Sequence, residues 1–266
     1  MLTHSHKSLL SVALLGSVAA CVFGFRGEAE FAGEASLMGV DTVLLELPTT
    51  ELVVAGEASR AFIDWQGRWV SVGGNSNDAL AAARAPQLLW DSHVGVGRLS
   101  AEVDISLRDL TTLEHLDVQS AAYLAHEIVG AGDVFVTGID AYISVSLDGG
   151  NVEILGGTEQ ILVNTSRGDI DLTTSAAVDA YSGAGRVSVR AEVPRDIEIE
   201  TTGSVLVELS EATNVDIDIA EAGKVVVQLD AATHIGSGSY RRLLGSGMYR
   251  LHVRSNGGAV DVRKLP

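Results

Sequence analysis

The residues of this chain best placed to do chemistry are carboxylates that recur in phase. Asp179, Glu198 and Asp216 each follow the first aliphatic residue of a short alternating segment, and Glu200 and Asp218 follow the third position of theirs. If alternate segments stack as strands, Asp179, Glu198 and Asp216 form one outward column, and Glu200 and Asp218 fall in the next. Neighbouring strands lie about 4.8 Å apart, and like charges directly opposite one another repel. Calcium takes six to eight oxygen ligands and would relieve that repulsion, so weak calcium binding is one expectation. The other is a solvated acidic face that keeps the molecule soluble and blunts edge-to-edge association.

No other constellation matches this phasing. His93, His115, His126, His234 and His252 are scattered, and none forms H-x-x-H or H-E-x-x-H. There is no G-x-S-x-G nucleophile turn and no G-x-x-x-x-G-K-[ST] phosphate loop. Asp169, Asp171 and Arg190 could be assembled into a polysaccharide-cleaving trio on a sheet face, but nearly any face of this chain would yield such a trio. A non-catalytic protein is therefore the expectation, with a carbohydrate-active enzyme, a lyase or hydrolase on a β-helix scaffold, as the alternative.

The elements that would position these residues come from a repeat. Aliphatic segment starts recur about every nine residues at Val134, Ile143, Val152, Ile161, Ile170, Val178, Val187, Ile197, Val205, Val215 and Val225. A glycine closes nearly every second unit, at Gly132, Gly150, Gly168, Gly185, Gly203 and Gly223. Fixed-period self-similarity predicts stacked repeats. Alternation within units, as in Ile170-Asp171-Leu172 and Ile197-Glu198-Ile199, puts aliphatics on one side and acids on the other. The expected fold is all-β: a β-solenoid, parallel β-helix-like, with two short strands per glycine-closed coil. Two-residue hairpin signals are absent from the array, which disfavours a meander or sandwich.

The chain divides as follows. Residues 1–20 read as a signal peptide, with Lys7 and the amino terminus ahead of an apolar stretch too short to span a bilayer comfortably. Residues 21–40, rich in Gly, Ala and Glu, read as a tether or a first irregular strand. Residues 41–112 form an irregular β-rich cap, or irregular rungs of the same coil, with a short helix near 77–85, for which Asn77 is a candidate cap and Pro86 the stop. Trp65 and Trp69 flank Gln66-Gly67, a plausible tight turn, and are expected to pack as core or cap. Residues 113–266 carry the regular repeat.

Composition limits the partners. The 266-residue chain carries 35 acids against 18 Lys and Arg, for a net charge of −17. Loss of residues 1–20 would remove Lys7 and no acid, making the remainder one unit more negative. That balance disfavours nucleic acid and anionic surfaces. The basic residues concentrate late, at Arg241, Arg242, Arg250, Arg254, Arg263 and Lys264.

Two resemblances follow. Val18-Ala19-Ala20-Cys21 resembles the lipobox of bacterial lipoproteins, which implies lipidation of Cys21, the only cysteine, and anchoring to a membrane of the cell envelope. An ordinary signal peptide or an uncleaved anchor remains an alternative at this point. Val22 in place of an inner-membrane retention aspartate leans toward the outer membrane where the host has one. The Gly-Asp starts at Gly132-Asp133-Val134 and Gly168-Asp169-Ile170, with the ending around Asn256-Gly257-Gly258-Ala259-Val260-Asp261-Val262, resemble bacterial adhesin-like β-solenoid domains over residues 113–262. That resemblance implies a surface binding or scaffold module whose partner is an envelope protein or polysaccharide, and no catalytic residue.

Overall fold

A computed structural model describes residues 24–108, 110–130, 132–210, 214–229 and 233–265. The expected signal peptide and Cys21 lie outside the described residues. Among the described residues the chain is all-β with one short helix, and 21 strands form a single mixed sheet, nearly closed and barrel-like. Among the described residues no helix is long and apolar enough to cross a membrane.

The first part of the chain comprises β1 (Phe25–Ser36), β2 (Thr42–Leu47), β3 (Thr49–Glu57), β4 (Phe62–Gly73), α1 (Ser76–Arg84), β5 (Gln87–His93), β6 (Val96–Glu102) and β7 (Thr111–Ala121). Ten short strands follow: β8 (Ala125–Gly130), β9 (Asp133–Thr137), β10 (Ile143–Leu147), β11 (Val152–Leu155), β12 (Gln160–Thr165), β13 (Ile170–Thr174), β14 (Ala177–Ser182), β15 (Val187–Ala191), β16 (Ile197–Thr201) and β17 (Val205–Leu209). The last four are β18 (Val215–Gln228), β19 (Thr233–Leu243), β20 (Tyr249–Arg254) and β21 (Ala259–Lys264).

From β8 to β17 each strand pairs in parallel with its second neighbour. Ile143, Ile161, Val178 and Ile197 are successive Cα partners on one face, and Val152, Ile170, Val187 and Val205 on the other. These are the periodic segment starts. Their side chains are buried, and the residues between them point outward. β-Branched side chains suit this arrangement because their stiff χ1 fits a pleated, regularly stacked surface.

The glycine period has a steric cause. A Cβ at Gly150, Gly168, Gly185 or Gly203 would overlap the carbonyl oxygen of the glycine one unit earlier. Gly168 also holds φ of +139°, a conformation that side chains rarely adopt. A buried hydroxyl shortly before Gly185, Gly203 and Gly258 secures the corner. Ser182, Thr201 and Ser255 donate to the carbonyls of Gly168, Gly185 and Gly203 at 2.9, 2.8 and 2.9 Å. Asp and Asn residues extend the ladder: Asp133 accepts from the Asn151 amide, Asn151 from that of Asp169, and Asp169 from that of Arg186, at 2.7 to 2.9 Å.

Three features differ from the sequence expectation. First, parallel pairing starts far earlier than residue 113: β2 pairs with β8 and β3 with β9. Strand pairing between segments some 80 residues apart leaves no local periodic signal. Second, β4 runs straight through Gln66-Gly67 without turning, paired along its length with β1, the strand that residues 25–36 form. Trp65 and Trp69, four residues apart, therefore share one face of a strand, and both are buried. Third, Asn75 rather than Asn77 caps the helix, accepting from the Asn77 and Asp78 amides at 3.0 Å. Ala79 and Ala83 are the buried positions of α1, and the helix backbone at Ala79 packs directly against Gly27 of β1 and Gly73 of β4.

The carboxy-terminal end reorders the array. β18 is long enough to cross both faces, pairing with β20 through its first half and β21 through its second. β20 and β21 in turn pair with β16 and β17. The two last strands thus lie between β18 and the rest, and β19 runs antiparallel along the outside of β18.

Candidate functional site

The carboxylates singled out by phase lie where β14, β16, β20 and β18 stand side by side. One outward row reads Asp179, Glu198, His252, Asp218, each the Cα partner of the next. The next row reads Tyr181, Glu200, Arg254, Ala220. Asp216 falls in a third row opposite Arg250, whose backbone amide donates to Asp196 Oδ1 at 2.8 Å. Asp179 and Glu198 are thus neighbours as expected, whereas Asp216 is not their companion and Asp218 meets Glu198 only across His252. The cause is register. Ile197 aligns through Leu251 with Ile217, two residues beyond the alignment that the period suggested. A shift of two keeps every side chain on its own face, so alternation cannot detect it.

Insertion of β20 changes the electrostatics. His252 Nδ1 lies 3.5 Å from Asp218 Oδ2, and Arg254 reaches to 4.0 Å from Glu200 and 3.9 Å from Glu221. On the opposite face Arg263 of β21 bonds Glu208 at 2.9 Å. The late basic residues therefore interleave with the acids. Within this row the Asp179–Glu198 step has no cation between its acids, and there partial desolvation first, and the Glu198 charge second, raise the Asp179 pKa above its usual value. Among the described residues no group of three or more His, Cys, Asp or Glu is arranged to hold a metal ion. The row borders an open groove of about 500 Å³, with Glu159, Asp179, Asp196, Glu198, Arg250 and His252 in its walls.

The trio considered for catalysis is not brought together. Asp169 is used at the corner ladder, Asp171 pairs with Ser188, and Arg190 stands opposite Glu208 in another row.

A second groove, of about 620 Å³, was not visible in the sequence. It lies on β1, β4 and β7, between Glu30, Phe31, Gln66, Arg68, His115 and Asp117. His115 Nδ1 lies 2.9 Å from Glu51 Oε2 and its Nε2 3.1 Å from Asp117 Oδ1. Burial lowers the His115 pKa, but the bonds to Glu51 and Asp117, with the charges of both, outweigh it and raise the pKa above the usual value. Glu114 bridges Arg26 at 2.7 Å and Arg68 at 2.6 Å. The only local trace is the alternation His115-x-Asp117; the third partner, Glu51, comes from a strand 64 residues earlier.

Both candidate regions are shallow, polar and open, with ion-paired side chains arrayed in rows. They offer many hydrogen-bonding groups to an extended ligand.

No family model and no curated protein matches the chain. Several solved structures are similar to it, three of which follow. One is a "putative cell adhesion protein" from Clostridium sporogenes, 14% identical with a TM-score of 0.35, covering 90% of this chain and 100% of that one. Another is a "putative adhesin" from Bacteroides fragilis, 11% identical with a TM-score of 0.45, covering 88% and 97%. The third is a "putative adhesin" from Parabacteroides merdae, 8% identical with a TM-score of 0.28, covering 89% and 96%. At such identities and scores no function follows from the likeness.

Proposed function

We propose that the chain is a display module of a bacterial cell envelope: a two-faced β-solenoid, exported and anchored by a lipid on Cys21, that holds rows of polar side chains toward an extended partner. The observation that supports this most is the register of the outward residues. Parallel pairing of second neighbours places side chains in straight rows across successive strands, at a spacing set by the backbone and not by loops. Such rows match the repeating groups of a polysaccharide or an extended segment of an envelope protein. A rigid scaffold also spares the ordering entropy that a flexible binding surface would lose.

The test is a binding panel of cell-wall and capsular polysaccharides on the mature chain, run with Asp179→Asn/Glu198→Gln and with Arg68→Gln. Saturable binding of one polymer, lost in one variant and kept in the other, is the expected outcome. Turnover of any polymer that disappears on neutralising a single carboxylate would overturn the display reading in favour of a polysaccharide lyase or hydrolase. Mass spectrometry of the mature amino terminus checks the anchor, with a diacylated Cys21 expected as first residue; an unmodified or internal Cys21 would remove it.

A further inference from the structure

We propose that this chain assembles end to end with further copies of itself, the outer edge of β19 in one copy docking on the outer edge of β1 in the next. Both are terminal strands of the sheet. Among the described residues β1 pairs only with β4, and β19 only with β18. They are similar in length, 12 and 11 residues, and each leaves a row of backbone amides and carbonyls on its far side without a strand partner among the described residues. Such a row is a template for pairing with another chain.

The charges of the two edges are opposite, in a chain whose net charge is −17. β1 carries Glu28, Glu30 and Glu34 against Arg26. Arg26 is engaged by Glu28 and Glu114, and no cation among the described residues pairs with Glu30 or Glu34. β19 carries His234, Arg241 and Arg242 and no acid. The Arg241 side chain is 74% exposed, and its nearest carboxylate, Asp216, is 3.9 Å away. β19 also buries none of its residues and leaves Ile235 69% and Leu243 63% exposed, apolar surface that a second copy would cover.

Charge also selects the mode of contact. Pairing β1 with β1 would set glutamates against glutamates, and β19 with β19 arginines against arginines. Only β1 with β19 joins opposite signs. A contact between two different surfaces of the same chain does not close on itself unless the rotation returns to the start, so it builds a filament or a large ring rather than a dimer. The other outer edge, β5, carries a single acid, Asp91, and is the weaker match for the arginines.

Sedimentation velocity of the full mature chain tests this at low and high salt. The wild type is expected to gain mass with concentration and to lose it in high salt, because the contact is electrostatic. Arg241→Glu/Arg242→Glu and Glu30→Lys/Glu34→Lys are each expected to weaken self-association on the order of tenfold or more. Glu30→Lys/Glu34→Lys should keep its melting temperature, since both side chains are exposed, and so should Arg241→Glu alone, whose side chain is 74% exposed. Equimolar mixing of the two variants restores opposite charges at both junctions, and assembly should return. A wild type that stays monomeric at high concentration in low salt would overturn the proposal. So would assembly that ignores both reversals, or variants that fail to rescue one another.

Discussion

His126 gives the strongest test of how this core is built. It sits on β8 between Val43 of β2 and Ile143 of β10, in an inward-facing row that is otherwise aliphatic, and it is 0% exposed. Its Nδ1 donates to the Leu124 carbonyl at 2.8 Å, and its Nε2 has no partner among the described residues. Burial, opposed weakly by the Leu124 bond, pushes its pKa from 6.5 down to about 4. The folded state therefore refuses a proton that the unfolded chain accepts between those values. Above pH 6.5 neither state is protonated and the folded protein has its full stability. As pH falls from 6.5 to about 4 the unfolded state gains the proton and stability drops; below that both states carry it and the loss levels off. A difference of about 2.5 units corresponds to roughly 3 kcal/mol. His126→Val keeps an apolar, similarly sized side chain between Val43 and Ile143. Urea unfolding of both proteins from pH 4 to 8 separates this residue from the rest, because the carboxylates titrate in both. The wild type should lose roughly 3 kcal/mol relative to the variant across the window. The variant also leaves the Leu124 carbonyl unpaired, but that cost does not change with pH. A stability difference that is flat from pH 4 to 8 would show that His126 is not a buried neutral imidazole.

Further expectations concern the corners and the acidic face. Gly168→Ala forces a Cβ against the Gly150 carbonyl at a φ of +139° and should destabilise by at least about 3 kcal/mol, whereas Gly74→Ala, with nothing near its added methyl, should stay within about 0.5 kcal/mol. Thr201→Val removes the donor to the Gly185 carbonyl in a buried site and should cost about 1–2 kcal/mol in chemical denaturation. Asp179→Asn should raise the melting temperature at neutral pH and lose that advantage in acid, because a raised carboxylate pKa means the charged form is the disfavoured one in the folded state. Millimolar calcium should leave the melting temperature of the wild type unchanged, since Asp179 and Glu198 supply two carboxylates where the ion needs six to eight oxygens; a saturable calorimetric signal would contradict this.

Much of the local architecture is written in the sequence because it depends on neighbours along the chain. Strand positions from 133 to 209, their inward and outward faces and the glycine corners all follow from alternation and from the period, as Ile170-Asp171-Leu172 after Gly168 illustrates. The corner hydroxyls at Ser182 and Thr201 went unread, because their acceptors are carbonyls 14 and 16 residues earlier. What only the tertiary structure decided is which segments lie side by side. The pairing of β2 and β3 with strands some 80 residues later, and the placing of β20 and β21 inside β18, are long-range choices among alignments that differ by an even number of residues. Every such alignment buries the same aliphatics, so hydrophobic pattern cannot rank them. The partners of the outward residues depend wholly on that choice. For this reason Glu198 faces His252 rather than Asp216, and Glu51 meets His115.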